Sequence, residues 1–232
     1  MPPLSLLHQQ GIGPLRTGSE FLVHFGAELI FTAIVMVLCA VIYFKTKELY
    51  ALSNHKGIKY FRTGFLFFGL AYLARFVMIL FQISAWHLDV FFPRIILLLL
   101  FLVPVGYVST MAFFYLAYSL VWKKIPYKLF VIGSNVIALG VSILALLLIS
   151  PIIIALAQIP LLIIILLYVA SKHKHKKNQA IITYLFIGLL WLLNIFFLGP
   201  RNVLPLEVNL FLLAASAGLF IYLLVKVLKW TK

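Results

Sequence analysis

Acidic residues and cysteines are both scarce in this sequence of 232 residues. Five positions are Asp or Glu, against 19 that are Lys or Arg, and charged residues make up 10% of the chain while 65% of it is hydrophobic. Because a soluble domain carries about 25% charged residues, this composition excludes a water-soluble fold. The one cysteine, Cys39, excludes an intramolecular disulfide and any Cys-x-x-Cys redox or zinc motif.

Catalytic motifs are also lacking. The chain contains no His-Glu-x-x-His, no Gly-x-Ser-x-Gly and no paired aspartates within its apolar runs, which are arrangements that hydrolytic chemistry uses. His173 and His175 lie in a lysine-rich stretch, where neighbouring cations oppose metal binding. We therefore expect a protein that is not an enzyme and that needs no metal and no cofactor. An intramembrane enzyme that modifies lipids stays open as an alternative.

Long apolar runs fill most of the sequence. About 20 apolar residues in a helix cross a bilayer, because a helix satisfies its own backbone N–H and C=O groups. The runs predict an all-α integral membrane protein, with residues 1–20 as an extracytoplasmic segment and residues 21–232 as one seven-helix bundle. Ser150-Pro151 divides the fourth span from the fifth, since proline cannot donate a helical hydrogen bond. The predicted spans are 21–44, 60–84, 94–121, 129–149, 151–170, 180–198 and 206–228.

Lysine and arginine are distributed unevenly between the predicted loops. Short cytoplasmic loops retain positive charge, and fifteen of the 19 cations fall in alternate loops and the C-terminal tail. Arg16, Arg94 and Arg201 lie on the opposite side, and Arg75 lies inside a span. This bias predicts an outside N-terminus and a cytoplasmic C-terminus, with the plasma membrane as the location. The basic loops are expected to contact anionic lipid headgroups, and no nucleic acid. The fifteen residues are Lys45, Lys47, Lys56, Lys59, Arg62, Lys123, Lys124, Lys128, Lys172, Lys174, Lys176, Lys177, Lys226, Lys229 and Lys232.

Two segments of the sequence match each other at an offset of 119 residues. Residues 66–73 and 185–192 are identical at five of eight positions, including Gly69 and Gly188. Chance in a chain rich in Leu and Phe is one explanation, and a parallel duplication is the other. A duplication would give repeats 21–121 and 151–228 around a linker helix at 129–149, and repeats of this kind place a ligand site where the halves meet.

Polar side chains inside the predicted spans carry the functional prediction. A charge in the bilayer centre costs about 2.5–3.5 kcal/mol even on the mildest scale. At 1.5 Å per residue, Glu28 and Arg75 lie about 10 Å and 13 Å from the outer ends of adjacent helices, so we predict a buried ion pair between them. These groups either line a polar pocket in the outer half of the bundle or hold the helices together. The predicted ligand-binding residues are Glu28, Arg75, His24, Gln82, Gln158, Asn194 and Asn209.

The segment from Tyr60 to Arg75, Tyr-Phe-Arg-Thr-Gly-Phe-Leu-Phe-Phe-Gly-Leu-Ala-Tyr-Leu-Ala-Arg, resembles the second helix of multi-helix sensor domains that precede prokaryotic histidine kinases. That resemblance implies a sensor or receptor-like protein, which binds a small polar ligand and acts through a protein partner. The three-one-three layout is similar to that of the SWEET and PQ-loop carriers, although the Pro-Gln motif is missing. The layout implies, as the alternative, a small solute carrier with hinges at Pro104 and Pro160. The last span lacks the mid-helix lysine to which microbial rhodopsins attach retinal.

Overall fold

The computed structural model describes residues 18–87, 96, 98–150, 152–172 and 206–230. Every element in these ranges is helical, so the prediction of an all-α fold is confirmed for them. A five-residue π-helical segment leads directly into the third α-helix. The elements are α1 (Gly18–Ser53), α2 (Lys56–His87), the π segment (Leu98–Leu102), α3 (Val103–Val121), α4 (Tyr127–Leu147), α5 (Ile152–Lys172) and α6 (Leu206–Trp230).

Most of these helices are suited to a bilayer. Large apolar side chains cover the outer surface of the bundle, as on α4, where Leu129 is 63% exposed and Ile132 is 65% exposed. Such a surface is stable against lipid, and the chain is a helical membrane protein. The predicted span 180–198 lies outside the described residues. Five segments have the length and apolar character to cross a membrane, namely Phe25–Ser53, Lys56–Ser84, Leu99–Val121, Tyr127–Leu147 and Leu210–Lys229, and Ile152–Tyr168 is a shorter apolar helix.

The first helix is longer than the sequence predicts. Residues 45–59 were expected to form a loop, but α1 continues to Ser53 and only Asn54 and His55 separate it from α2. Asn54 takes a left-handed backbone conformation with φ of 51°, and its N–H donates to the carbonyl of Tyr50 at 2.8 Å. The charged residues Lys45, Lys47 and Glu48 end the apolar run but not the helix, because Lys and Glu are good helix formers. The helix therefore extends beyond the apolar run.

The break predicted at Ser150-Pro151 is confirmed. Helix α4 ends at Leu147, α5 begins at Ile152, and the Ser150 N–H donates back to the carbonyl of Ala145 at 3.0 Å. Ile149 has a φ of 50°, a conformation that is unusual for a β-branched residue. Four residues therefore separate the two helices, and one of them, Ile149, is held in a strained conformation.

One hydrophobic cluster joins five of the helices. Helix α1 packs between α2 and α6, while α3 packs against α2, α4 and α5. Two glycines of α2 allow close approach: a Cβ at Gly69 would lie 3.3 Å from Cβ of Cys39, and one at Gly64 would lie 3.2 Å from the Ala112 carbonyl oxygen. Gly69 thus lies at a close contact between α1 and α2, and Gly188 lies outside the described residues. The central cluster includes Val35, Cys39, Phe65, Phe113, Leu162, Phe220 and Leu223.

The lysine-rich connections meet at one end of the bundle, here called the basic end. The His55 ring, between α1 and α2, lies 5.6 Å from that of Trp122, between α3 and α4. The Lys124 ammonium lies 5.6 Å from the ring centroid of Tyr168, near the end of α5. Three cationic regions that are distant in sequence are therefore neighbours, as the charge distribution predicted. The opposite end, where α1 begins and α2 ends, is called the Glu28 end.

Candidate functional site

Glu28 and Arg75 form a buried ion pair between α1 and α2. The Arg75 Nε–H donates to Glu28 Oε1 at 3.0 Å, and the Nη2–H donates to the same oxygen. Glu28 is 3% exposed and Arg75 is 9% exposed, so bilayer and solvent hardly reach either group. The two helices are antiparallel, and Glu28 and Arg75 lie at nearly the same distance from the Glu28 end. Their side chains therefore meet. The predicted ion pair is therefore confirmed.

An aromatic layer lies one helical turn from this ion pair. The rings of Phe31 and Tyr72 meet edge to face with centroids 6.0 Å apart, and those of Tyr72 and Phe220 do so at the same distance. Glu28 is three residues from Phe31, Arg75 is three residues from Tyr72, and Ser216 is four residues from Phe220. Because residues three or four apart share a helix face, all three polar side chains lie on the faces that carry these rings.

Gln158 ties α5 to α3 through its amide nitrogen. Its Nε2 donates to Ser109 Oγ at 2.9 Å and to Thr110 Oγ1 at 2.9 Å. Ser109 donates its own hydroxyl hydrogen to the carbonyl of Gly106 at 3.2 Å. Because its hydrogen is already used, the Ser109 hydroxyl can only accept from Gln158, so the NH2 group of the amide faces α3. The free side is the carbonyl oxygen Oε1, which is buried and has no hydrogen-bond partner in the described part of the chain.

Ser216 is a second buried group of this kind. It is fully buried on α6, and its Oγ has no partner within the ranges that the structure describes. Leu213 and Phe220, which lie three residues before and four residues after Ser216, belong to the central cluster. Ala155 and Leu162 have the same spacing from Gln158 and also belong to it. Both polar side chains therefore face the same interior. A buried polar group left without a partner costs about 1–3 kcal/mol, so these two positions favour a molecule that supplies one.

Polar groups between α3 and α4 have partners. The Tyr107 hydroxyl donates to Asn135 Oδ1, which joins α3 to α4, and Asn135 Nδ2 donates to the carbonyl of Val131 at 2.6 Å. Ser142 donates to the carbonyl of Ala138 at 2.8 Å. These bonds lie where α3 faces α4, and they supply acceptors for the half-buried Tyr107 and Asn135 and for the buried Ser142. The α3–α4 contact is thus a structural one.

The remaining predicted site residues are less completely described. Gln82 is half-buried on α2, two turns beyond Arg75. His24 and Asn209 lie on α1 and α6, but the description does not include their side chains, and Asn194 lies outside the described residues. Sequence reasoning missed Ser216, because one serine among alanines is an ordinary helix-packing residue. Its spacing from Leu213 and Phe220 was the available signal that it faces the core.

Metal-ligating side chains do not gather in the described part of the chain, where no three His, Cys, Asp or Glu residues come close enough to hold an ion. Glu48 is exposed and bonded to Lys45 at 3.3 Å, Glu207 is exposed at the start of α6, and Cys39 is buried. The groups collected at the site are an ion pair, an amide oxygen and a hydroxyl. Charge and hydrogen bonding are therefore the interactions that these groups can offer.

The comparisons with known proteins give one relative. No protein-family model matches the chain, and no solved structure matches it. A protein of Archaeoglobus fulgidus, described as an uncharacterized protein, is similar to this chain, with 27% identity over 214 residues that cover 88% of this chain and 92% of its own. The similarity extends over nearly the full length of both proteins. The description of that relative names no ligand or activity.

Proposed function

We propose that this protein is a receptor-like membrane protein that binds a small polar ligand inside the helix bundle and acts through a protein partner. The observation that carries the proposal is the buried ion pair of Glu28 and Arg75. It lies one helical turn from the aromatic layer of Phe31, Tyr72 and Phe220, and Ser216 lies one turn from Phe220. Gln158 and Ser216 each direct an unsatisfied polar atom into the same apolar interior. A ligand that reaches this interior gains hydrogen bonds that the described helices do not supply.

An ion pair is an expensive way to join two helices. Transferring both charges from water costs several kcal/mol per ion, and apolar residues of similar volume hold helices as well or better. In membrane proteins, charged groups that face the bundle interior mark ligand or ion sites. The pair is therefore better explained by a binding role than by helix packing alone.

The unsatisfied atoms indicate which ligands fit. Gln158 Oε1 is an acceptor, so it calls for an N–H or O–H donor, and Ser216 Oγ both donates and accepts. Glu28 and Arg75 add one charge of each sign. In this proposal the ligand is a small molecule with amine or hydroxyl donors, and Gln82, His24, Asn194 and Asn209 complete the lining.

The proposal includes the predicted seven-helix topology in the plasma membrane. The Glu28 end is opposite the basic end, and the basic end would face the cytoplasm. The ligand would then enter from outside, and a protein partner would contact the cytoplasmic loops.

A small solute carrier is the second candidate, and the π segment favours it. Pro104 lies in the first turn of α3, two residues after this segment. Its missing N–H removes a helical hydrogen bond there, and π segments are common at functional sites. Pro160 lies inside α5, two residues from Gln158. These positions supply hinges beside the site. Tracer flux into proteoliposomes would favour the carrier over the receptor.

Native mass spectrometry after gentle extraction from the source membrane tests ligand binding. We expect wild-type protein to carry a small molecule that Glu28→Gln and Gln158→Leu release. Glu48→Gln is the matched control, since it removes an exposed carboxylate of the same type, and it should retain the molecule. Equal retention in all four proteins would contradict a site at this position. A co-released protein lost on substitution of basic-end lysines would identify the partner.

A further inference from the structure

Arg62 occupies a groove between α1 and α2 at the basic end. Its guanidinium carbon lies 4.9 Å from the ring centroid of Tyr43 and 5.8 Å from that of Tyr50. These tyrosines are seven residues apart on α1, which places them two turns apart on one face. The guanidinium group is therefore held in a defined position by two aromatic rings, and the groove formed by Tyr43, Tyr50 and Arg62 is called the Arg62 groove.

No acceptor bonds to Arg62 in the described part of the chain. Its Nε is buried without a hydrogen-bond partner, and guanidinium carries five N–H donors. Thr46, which lies between the two tyrosines on α1, directs its hydroxyl to the carbonyl of Ile42 at 2.6 Å. Cation–π contacts attract the charge but accept no conventional hydrogen bond. The groove thus presents a fixed cation whose donors are unused.

The second arginine of α2 shows the contrast. Arg75 donates two hydrogen bonds to Glu28, whereas Arg62 has no carboxylate in its groove. Glu48, the acidic residue of this end, is bonded to Lys45 at 3.3 Å. Lys47 lies between Tyr43 and Tyr50 along α1, and both Lys47 and Lys59 are exposed. The charge around Arg62 is therefore positive, and an anion is needed to balance it.

We propose that the Arg62 groove binds the phosphate of an anionic phospholipid. Arginine recognises phosphate through paired N–H donors, and its fork geometry suits two phosphate oxygens. Arg62 is six residues from the start of α2, about 9 Å along the helix, where headgroups meet the basic end. Basic pockets between membrane helices bind lipid headgroups of this class. Lys47 and Lys59 repel a choline group, so an anionic headgroup is preferred over a zwitterionic one.

Lipid binding is tested on purified full-length protein by native mass spectrometry, with phosphatidylglycerol and phosphatidylcholine titrated separately. Hydrogen bonds to a charged group contribute about 1.5–3 kcal/mol, so Arg62→Gln should weaken phosphatidylglycerol retention by about tenfold or more. Lys56→Gln removes one exposed cation from the same helix and should leave retention within about twofold of wild type, because a diffuse surface charge contributes little. Arg62→Lys keeps the charge but not the fork, and we expect it to retain less lipid than wild type.

Two outcomes would overturn the proposal, and a stability control accompanies them. Equal losses for Arg62→Gln and Lys56→Gln would overturn the proposal in favour of diffuse charge attraction. Displacement of the lipid by millimolar inorganic phosphate, together with phosphate binding in lipid-free detergent, would make free phosphate the ligand and overturn the lipid assignment. Unfolding curves in detergent show whether a loss of lipid retention reflects a loss of folding. If Arg62→Gln is destabilised, Tyr50→Leu serves as the second variant, because it removes one wall of the groove and no charge. Tyr50→Leu should also lower lipid retention.

Discussion

The two arginines of α2 differ in their environment because one of them has a carboxylate partner and the other has none in the described part of the chain. Arg75 is buried because Glu28 neutralises it, and Arg62 is held over tyrosine rings at the basic end without an acid. Intramembrane charge is costly enough that the sequence predicts the first pairing from depth alone. The second environment was not predictable, because aromatic contacts depend on which helix faces meet. Residues of the same type on one helix thus have different roles.

Substitution of the ion pair should give strongly non-additive effects on stability. Glu28→Gln leaves Arg75 buried without a counter-charge and should lower the free energy of unfolding by about 3–5 kcal/mol, as Arg75→Gln should. The double variant Glu28→Gln/Arg75→Gln should lose less than the sum of the two, by at least about 1 kcal/mol. Equilibrium unfolding in mixed detergent and SDS micelles measures each value.

The exposed pair of Lys45 and Glu48 provides the control for this measurement. Its side chains are 43% and 62% exposed, so solvent screens the charges, and the same cycle should give a coupling below about 1 kcal/mol. If the losses at Glu28 and Arg75 simply add, the two groups are not in direct contact.

At the scale of the helix, close packing depends on particular glycines. A Cβ at Gly64 would lie 3.0 Å from Cγ of Leu116 and 3.2 Å from the Ala112 carbonyl oxygen, whereas one at Gly133 would meet nothing within 4 Å. Gly64→Ala should therefore force α2 and α3 apart and lower the free energy of unfolding by about 1–3 kcal/mol. Gly133→Ala should be neutral or stabilising by up to about 1 kcal/mol, because alanine is the better helix former.

Unfolding of both glycine variants in the same detergent mixture compares them directly. Since each replaces glycine by alanine within a helix, the difference isolates the packing effect from helix propensity. Equal stability of the two variants would mean that α2 and α3 do not approach closely at Gly64.

Most element boundaries follow from the sequence, and the exceptions have physical causes. The break at Ser150-Pro151 was predictable because proline stops a helix locally, while the extension of α1 to Ser53 was not, because hydropathy measures lipid contact and not helix formation. The π segment, which ends two residues before Pro104, is not predicted by the sequence pattern. Ser216 and the acceptor of Gln158 became visible only when several helices were assembled, since burial and hydrogen bonding are tertiary properties.

At the scale of the whole molecule, charge distribution predicts orientation. The basic connections meet at one end, and the positive-inside bias predicts that this end faces the cytoplasm. Leu52 is 85% exposed near the basic end, and Leu148 is 60% exposed near the Glu28 end. In a Cys39→Ala background, a membrane-impermeant thiol reagent should modify Leu148→Cys in intact cells and should not modify Leu52→Cys.

Permeabilised cells supply the control, because both cysteines should then react if both positions are accessible. The reverse pattern in intact cells would invert the orientation, and with it the side from which a ligand reaches the interior near Glu28 and Arg75. Because the Arg62 groove and the ion pair lie toward opposite ends of α2, one experiment assigns a side to both. An outside Glu28 end would place the proposed ligand site toward the outer leaflet and the proposed lipid site toward the inner one, so that each would respond to a different compartment.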